Sequence, residues 1–200
     1  MVIIGLTGSI GMGKSETARK FFANDVPVFD SDASVHELMA PDGAAYAPII
    51  ERFPDALEDG AINRQVLGGL VFEDDQALAD LEAIVHPLVQ SARDKFLDLC
   101  KNLKSPLVVL DIPLLYETDA QNSCDLVVVV SSPLKIQSER VLARPGMTDE
   151  KFRSILARQV PDTTKRQRAD YVIDTSGSHE QTNEQIVKLI ATVRQRWELN

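Results

Sequence analysis

Only two cysteines occur in the 200 residues, Cys100 and Cys124. Neither has metal-like spacing, so a reducing cytoplasm is the default and both read as small buried apolar side chains. No apolar run is long enough to span a bilayer, which excludes a membrane-spanning helix and any membrane partner that needs one. The start of the chain also lacks the basic n-region of a secretory leader and reads as mature structure. Positive charge is scarce: 21 Lys/Arg stand against 30 Asp/Glu, a formal net charge of −9. That balance argues against a general nucleic-acid binder, which carries a basic face for phosphates. The charge is uneven, however. From Lys135 to Arg168, nine Lys/Arg face four Asp/Glu, a local +5 that leaves −14 for the remainder. A basic island in an acidic chain fits a local anion site, although a solvated helix surface with ion pairs has the same composition. With 44% apolar residues, the chain can build a full core for one α/β domain with small inserted lobes.

What is present is a phosphate loop. Gly8–Ser15 read Gly-Ser-Ile-Gly-Met-Gly-Lys-Ser, a complete G-x-x-x-x-G-K-[ST] motif. The run 2–7 before it is apolar and β-branched, as a buried parallel strand should be. After it, Ala18, Phe21 and Phe22 are spaced to line one face of a helix. Strand, glycine loop and helix together turn backbone N–H groups toward a phosphate and add the positive end of the helix dipole. Gly8, Gly11, Met12 and Gly13 would contribute loop backbone, Lys14 would reach the β- and γ-phosphates, and Ser15 would help hold Mg²⁺. The motif implies a nucleoside triphosphate.

Four further apolar runs predict strands: 26–29, 107–110, 126–130 and 171–174. Helical patterns separate them, so the expected architecture is α/β with a five-stranded parallel sheet in three αβα layers, as in phosphate-loop NTPases. Two stretches interrupt the alternation. From 33 to 104 no strand is evident, and apolar residues recur at helical spacing from Ala77 to Leu99, which predicts an inserted helical lobe. A second insertion at 135–168 holds the basic island. Helices are predicted there at 134–143 and 149–160, with Pro145-Gly146 between them and Arg140 and Arg144 on one face. The core would then comprise 1–32, 105–134 and 169–200, ending in a helix over 180–197. Such a plan suits a small-molecule kinase whose lid excludes water and brings basic groups to the transferring phosphate.

A kinase that acts on a hydroxyl needs a carboxylate near the acceptor. Asp30 and Asp32 follow the second predicted strand, at the sheet end where ligands collect. Asp32 has left the strand and is the better base; either residue would also serve as a helix cap. Asp111, after the 107–110 run, has the position of a metal-contacting carboxylate, or of a turn residue before Pro113.

These stretches, with Ile62-Asn63-Arg64, Ile84-Val85-His86-Pro87-Leu88, Asp111-Ile112-Pro113-Leu114-Leu115-Tyr116-Glu117, Gln137–Arg140, Gln159 and Ala169–Ile173, resemble the dephospho-CoA kinase family in order and spacing over essentially the whole chain. The resemblance implies phosphorylation of the ribose 3′-hydroxyl of dephospho-CoA by ATP with Mg²⁺, the last step of coenzyme A synthesis. It implies Asp32 as base, Lys14 and the loop amides on ATP, Arg140 and Arg144 in the lid, and Thr175 and Gly177 beside the adenine. Arg64, His86 and Leu114 fall on the acceptor side, and Ser15 and Asp111 at the metal; the partners are ATP and dephospho-CoA. His86, before Pro87, would equally serve packing or a turn. His36 and His179 have no motif support. Glu16 stands where the family commonly has Thr, and its carboxylate would repel phosphate unless it turns away.

Two other readings share these features. Another small-molecule or nucleoside-monophosphate kinase would differ only in what the helical lobe binds. A GTP-dependent switch needs an Asn-Lys-x-Asp sequence, which is absent, and a D-x-x-G near Asp111, whereas Asp174-Thr175-Ser176-Gly177 lies on the last predicted strand.

Overall fold

The computed structural model describes residues 1–72 and 74–199, and these divide into two compact units. The first unit, Met1–Phe29 with Cys100–Asn200, contains the main sheet. The second, Asp30–Leu99, is helical.

The chain enters the first unit through β1 (Val2–Thr7), α1 (Lys14–Ala23) and β2 (Val28–Asp30). The second unit then runs α2 (Ser31–Met39), α3 (Tyr46–Arg52), a two-strand ribbon β3 (Leu57–Glu58) and β4 (Ala61–Ile62), α4 (Arg64–Phe72) and α5 (Asp75–Asn102). The return comprises β5 (Leu107–Asp111), β6 (Leu126–Ser131), α6 (Leu134–Leu142), α7 (Asp149–Ala157), α8 (Asp162–Arg168), β7 (Tyr171–Asp174) and α9 (His179–Arg196).

The main sheet is five-stranded and parallel in the order β2-β5-β1-β6-β7. Ile4 of β1 pairs with Val109 on one side and Leu126 on the other, which centres β1 and the loop that follows it. Alternation of side chains sorts the apolar residues between the two faces. On one face Val2, Ile4, Leu6, Leu107, Val109, Leu126, Val128 and Val130 pack with Ala18 and Phe21 of α1 and with Ile186, Leu189, Ile190 and Val193 of α9. The other face carries Val127 and Val129 against Leu115 and Tyr116, with Val160 and Ala169 at its margin. Each large side chain buried this way contributes about 1.5–3 kcal/mol, so sheet and helices stabilise one another rather than standing alone. Phe22 departs from the sequence expectation. It is 71% exposed, because it lies about a quarter-turn around α1 from Phe21, outside the stripe made by Thr17, Ala18 and Phe21.

The second unit has its own core of Ala45, Ile49, Phe53, Ile62, Leu67, Ala77 and Val85. The ribbon inside it was not anticipated from the apolar pattern. Its strands are two residues each, too short for alternation to register, and the signal lies in Asp59-Gly60 instead. Both turn residues have positive φ, 48° and 79°, as a two-residue hairpin turn requires. A third helix, α8, also occupies 162–168 beyond the two predicted there; its seven residues are mostly polar and show no apolar stripe. Pro87 lies inside α5 rather than at a turn, so His86 is an exposed helical residue. Cys100 is buried and Cys124 half-buried. Among the described residues no helix is long and apolar enough to cross a membrane.

One charged pair is enclosed on the second face of the sheet. Lys165 of α8 has no solvent exposure and lies 2.8 Å from Glu117 Oε1. The same oxygen accepts the Val160 N–H at 2.8 Å. Burial pushes the Glu117 carboxyl up, but the Lys165 ammonium and the Val160 N–H outweigh it and hold it below its ordinary value of 4.5. A carboxyl lowered in the folded state adds stability above its unfolded value, and loses it as pH falls through the folded one. Urea midpoints should therefore drop on acidification below about pH 4.5, and the uncharged pair E117Q/K165M should show a shallower drop. Equal slopes for the two proteins would remove this pair from the acid response.

Candidate active site

The loop between β1 and α1 is shaped by two glycines in the left-handed region. Gly11 has φ 78° and Gly13, the cap of α1, has φ 87°. Side chains rarely adopt these angles, and a Cβ on Gly11 would come within 2.4 Å of Val141 Cγ2. The Met12 N–H closes the turn on the Ser9 carbonyl at 3.1 Å. The Met12 side chain is buried in the core, where its sulfur accepts the Ser132 N–H at 3.1 Å. Met12 thus anchors the loop from beneath.

Two glutamines hold the loop from the side. Gln137 of α6, only 2% exposed, donates from Nε2 to the Ile10 carbonyl at 2.7 Å. Gln159, between α7 and α8, accepts the Ile10 N–H through Oε1 at 3.1 Å. Both polar groups of one loop residue are satisfied by side chains distant in sequence.

Lys14 opens α1 and lies 2.6 Å from Asp111 Oδ1. Asp111 is 1% exposed at the end of β5, beside Leu6 in the sheet. A buried carboxylate against a largely buried ammonium fixes the lysine at the mouth of the loop. Ser15 is exposed one residue further on. Thr7 at the end of β1 donates to the Pro113 carbonyl at 3.0 Å, which ties the Asp111–Glu117 segment to the loop's base; Leu114 is 44% exposed there.

Beside Gly13 opens a cavity of about 170 Å³ lined by Gly13, Glu16, Thr17, Arg140, Thr175, Gly177, His179 and Thr182. Arg140 of α6 donates to Thr175 Oγ1 at 3.1 Å and to its carbonyl at 2.6 Å. Thr175 in turn donates to the Met12 carbonyl at 2.8 Å, so arginine, threonine and phosphate loop form one network. Arg144, four residues further on, is exposed. Glu16 faces two cations, Arg19 at 3.1 Å and Lys20 at 3.4 Å, and the ring of His179, whose Nδ1 lies at 3.0 Å. Partial burial raises its carboxyl, but these partners outweigh that and hold it below the ordinary value. Its charge is directed to the helix surface and to His179. The wall formed by His179 had no sequence signal, since the contact spans 163 residues.

In the helical unit, Asp30 accepts the Ala33 N–H at 3.0 Å and caps α2. Asp32, in the first turn of α2, is exposed and is not the cap. Arg64, the first residue of α4, lies against the ring of His36, 2.9 Å from Nδ1 and also in contact with Nε2. His36 had no motif support, yet it is the side chain that meets the motif arginine.

Among the described residues no group of three or more His, Cys, Asp or Glu side chains could hold a metal by itself. Ser15 and Asp111 offer hard oxygen donors, a set that suits Mg²⁺ shared with nucleotide phosphates and water.

A family model described as dephospho-CoA kinase matches residues 2–181. A dephospho-CoA kinase of Novosphingobium aromaticivorans is 49% identical over 194 residues, covering 97% of this chain and 96% of that protein. That of Paramagnetospirillum magneticum is 53% identical over 166 residues, covering 83% of this chain and 78% of that protein. Among solved structures, TT1252 from Thermus thermophilus has a TM-score of 0.83 at 34% identity, covering 96% of each chain. A dephospho-CoA kinase from Campylobacter jejuni has a TM-score of 0.70 at 22% identity, covering 96% of this chain and 97% of that one, a likeness of fold. A phosphate loop backed by a buried Lys14–Asp111 pair, on a chain matched by this family model over residues 2–181, leads to one assignment: the chain belongs to the dephospho-CoA kinase family.

Proposed function

We propose that the chain transfers the γ-phosphoryl group of ATP to the ribose 3′-hydroxyl of dephospho-CoA, yielding CoA and ADP. The observation that carries the reading is the phosphate loop itself, with Gly11 and Gly13 turned, Ile10 clamped, and Lys14 held at the mouth by Asp111. Its family membership supplies the acceptor.

In this reading the backbone of Gly8, Gly11, Met12 and Gly13 receives the phosphates, and Lys14 moves between Asp111 and the γ-phosphate. The cavity lined by Gly13, Arg140, Thr175 and Gly177 receives the nucleoside. Glu16 stays turned to Arg19, Lys20 and the His179 ring, which reduces the repulsion a free carboxylate would impose on phosphate. Ser15 and Asp111 would hold Mg²⁺, which when bound neutralises charge on the β- and γ-phosphates. Asp32 takes the proton of the acceptor hydroxyl, with Arg64, His86 and Leu114 on the acceptor side. Segment 33–104 forms the acceptor lobe and 135–168 the lid, where Arg140 and Arg144 offset charge on the transferring group. The protein works in the cytoplasm as a monomer or weak homo-oligomer, with no nucleic-acid or membrane partner.

With ATP and Mg²⁺, dephospho-CoA should be phosphorylated and AMP, CMP, shikimate and pantothenate should be poor acceptors; a preference for any of these four would replace the acceptor assignment. Lys14→Ala should lose several orders of magnitude in kcat while thermal unfolding stays cooperative. Asp32→Asn should lower kcat by about 10²-fold or more, and an effect confined to ATP affinity would make it a nucleotide residue instead. Arg140→Ala should reduce turnover more than stability; an unchanged rate would return it to the surface.

A further inference from the structure

Glu117 ends the Asp111–Glu117 motif and has no part in the chemistry above. Its carboxylate sits mostly out of water against a fully buried Lys165. Such a pair is a poor way to gain stability, because desolvation offsets much of the attraction and apolar residues of equal volume often do as well. Its geometry shows a second use. Glu117 Oε1 also accepts the Val160 N–H at 2.8 Å. Val160 is flanked by Gln159, whose Oε1 accepts the Ile10 N–H, and by Pro161, which stands at the N-cap position of α8 with φ −53°. Only residues 158–161 separate α7 from α8, so Gln159 is followed directly by one peptide pinned by Glu117 and one φ fixed by proline. The Gln159 N–H, bonded to the Leu156 carbonyl at 3.1 Å, closes the other side.

We propose that Glu117 is a positioning residue for the phosphate loop: by holding the Val160 N–H it sets Gln159, and Gln159 sets the Ile10 peptide that precedes Gly11. Lys165 keeps the carboxylate ionised and aimed. The role is to preorganise the loop amides for nucleotide phosphates, so the consequence is read in ATP affinity. It rests on the loop being an ATP site. Binding of ATP to the full-length protein, measured by calorimetry without any acceptor, keeps the two questions apart.

Two uncharged replacements separate the positioning bond from the ion pair. E117Q/K165M removes both charges but keeps an amide oxygen for Val160, and should bind ATP within about twofold of the parent. E117A/K165M removes the acceptor as well, and should bind about tenfold more weakly, with a matching loss for Gln159→Leu. Adding Gln159→Leu to E117A/K165M should cost little more, since both act on one contact. A role confined to stability would shift Tm in the two double variants and leave their ATP affinities alike, which overturns the proposal. Additive losses overturn it too. If E117A/K165M does not fold, the better-filled E117M/K165M takes its place: ATP binding about tenfold weaker than that of E117Q/K165M supports the proposal, and equal affinity ends it. No ATP binding by the parent would instead remove the nucleotide reading itself.

Discussion

The Ile10 peptide is gripped on both sides, its carbonyl by Gln137 and its N–H by Gln159, and the nucleotide site depends on that grip. A phosphate loop works by keeping several N–H groups pointed inward without a ligand to hold them. Glycine permits the shape but does not impose it, because residues free to adopt positive φ are free to leave it. The structure answers that freedom with external bonds: two glutamines at Ile10, the Met12 sulfur under Ser132, and Thr175 on the Met12 carbonyl. Flexible backbone is made rigid by side chains from α6, the 158–161 linker and the end of β7.

The same elements set the electrostatics. Lys14 and Asp111 neutralise each other at the sheet end, so a buried carboxylate is tolerated where phosphates would otherwise meet it unscreened. Glu16, the residue at odds with a phosphate site, is surrounded by Arg19, Lys20 and His179. The net charge of −9 is therefore no obstacle to binding a polyanion. Local arrangement outweighs the total, because exposed charges beyond about 10 Å are screened by salt.

Much of the fold is legible in the residues. Every strand of the main sheet was visible as a short apolar run; β1, β5 and β6 are buried on both faces, whereas the edge strands β2 and β7 are only partly buried and were marked by β-branched residues before a polar turn. The stripe of Ile186, Leu189, Ile190 and Val193 likewise marked α9, and all four side chains are buried. Legibility ended where apolar periodicity did. The β3–β4 ribbon is too short to alternate, α8 is nearly all polar, and Phe22 shares helical spacing with Ala18 yet points to solvent. In the site, Lys14, Ser15 and Asp111 announced themselves by motif and by position after a strand. Gln137, Gln159 and Glu117 were visible only as motif letters, without a task.

Sequence alone determined the phosphate loop, the strand that leads into it and the family to which the chain belongs, because those depend on residue type at short spacing. Tertiary structure decided what holds the loop in shape. Gln159 lies 149 residues from Ile10, Thr175 lies 163 from Met12, and His179 lies 163 from Glu16. No local pattern encodes such pairs, since each depends on strand order and on where a helix turns after leaving the sheet. The order β2-β5-β1-β6-β7 puts β1 at the centre, with the segments after β5, β6 and β7 gathered around its end. Packing of that sheet, rather than any motif, places the carboxylates, amides and arginine of the first unit where the loop can use them.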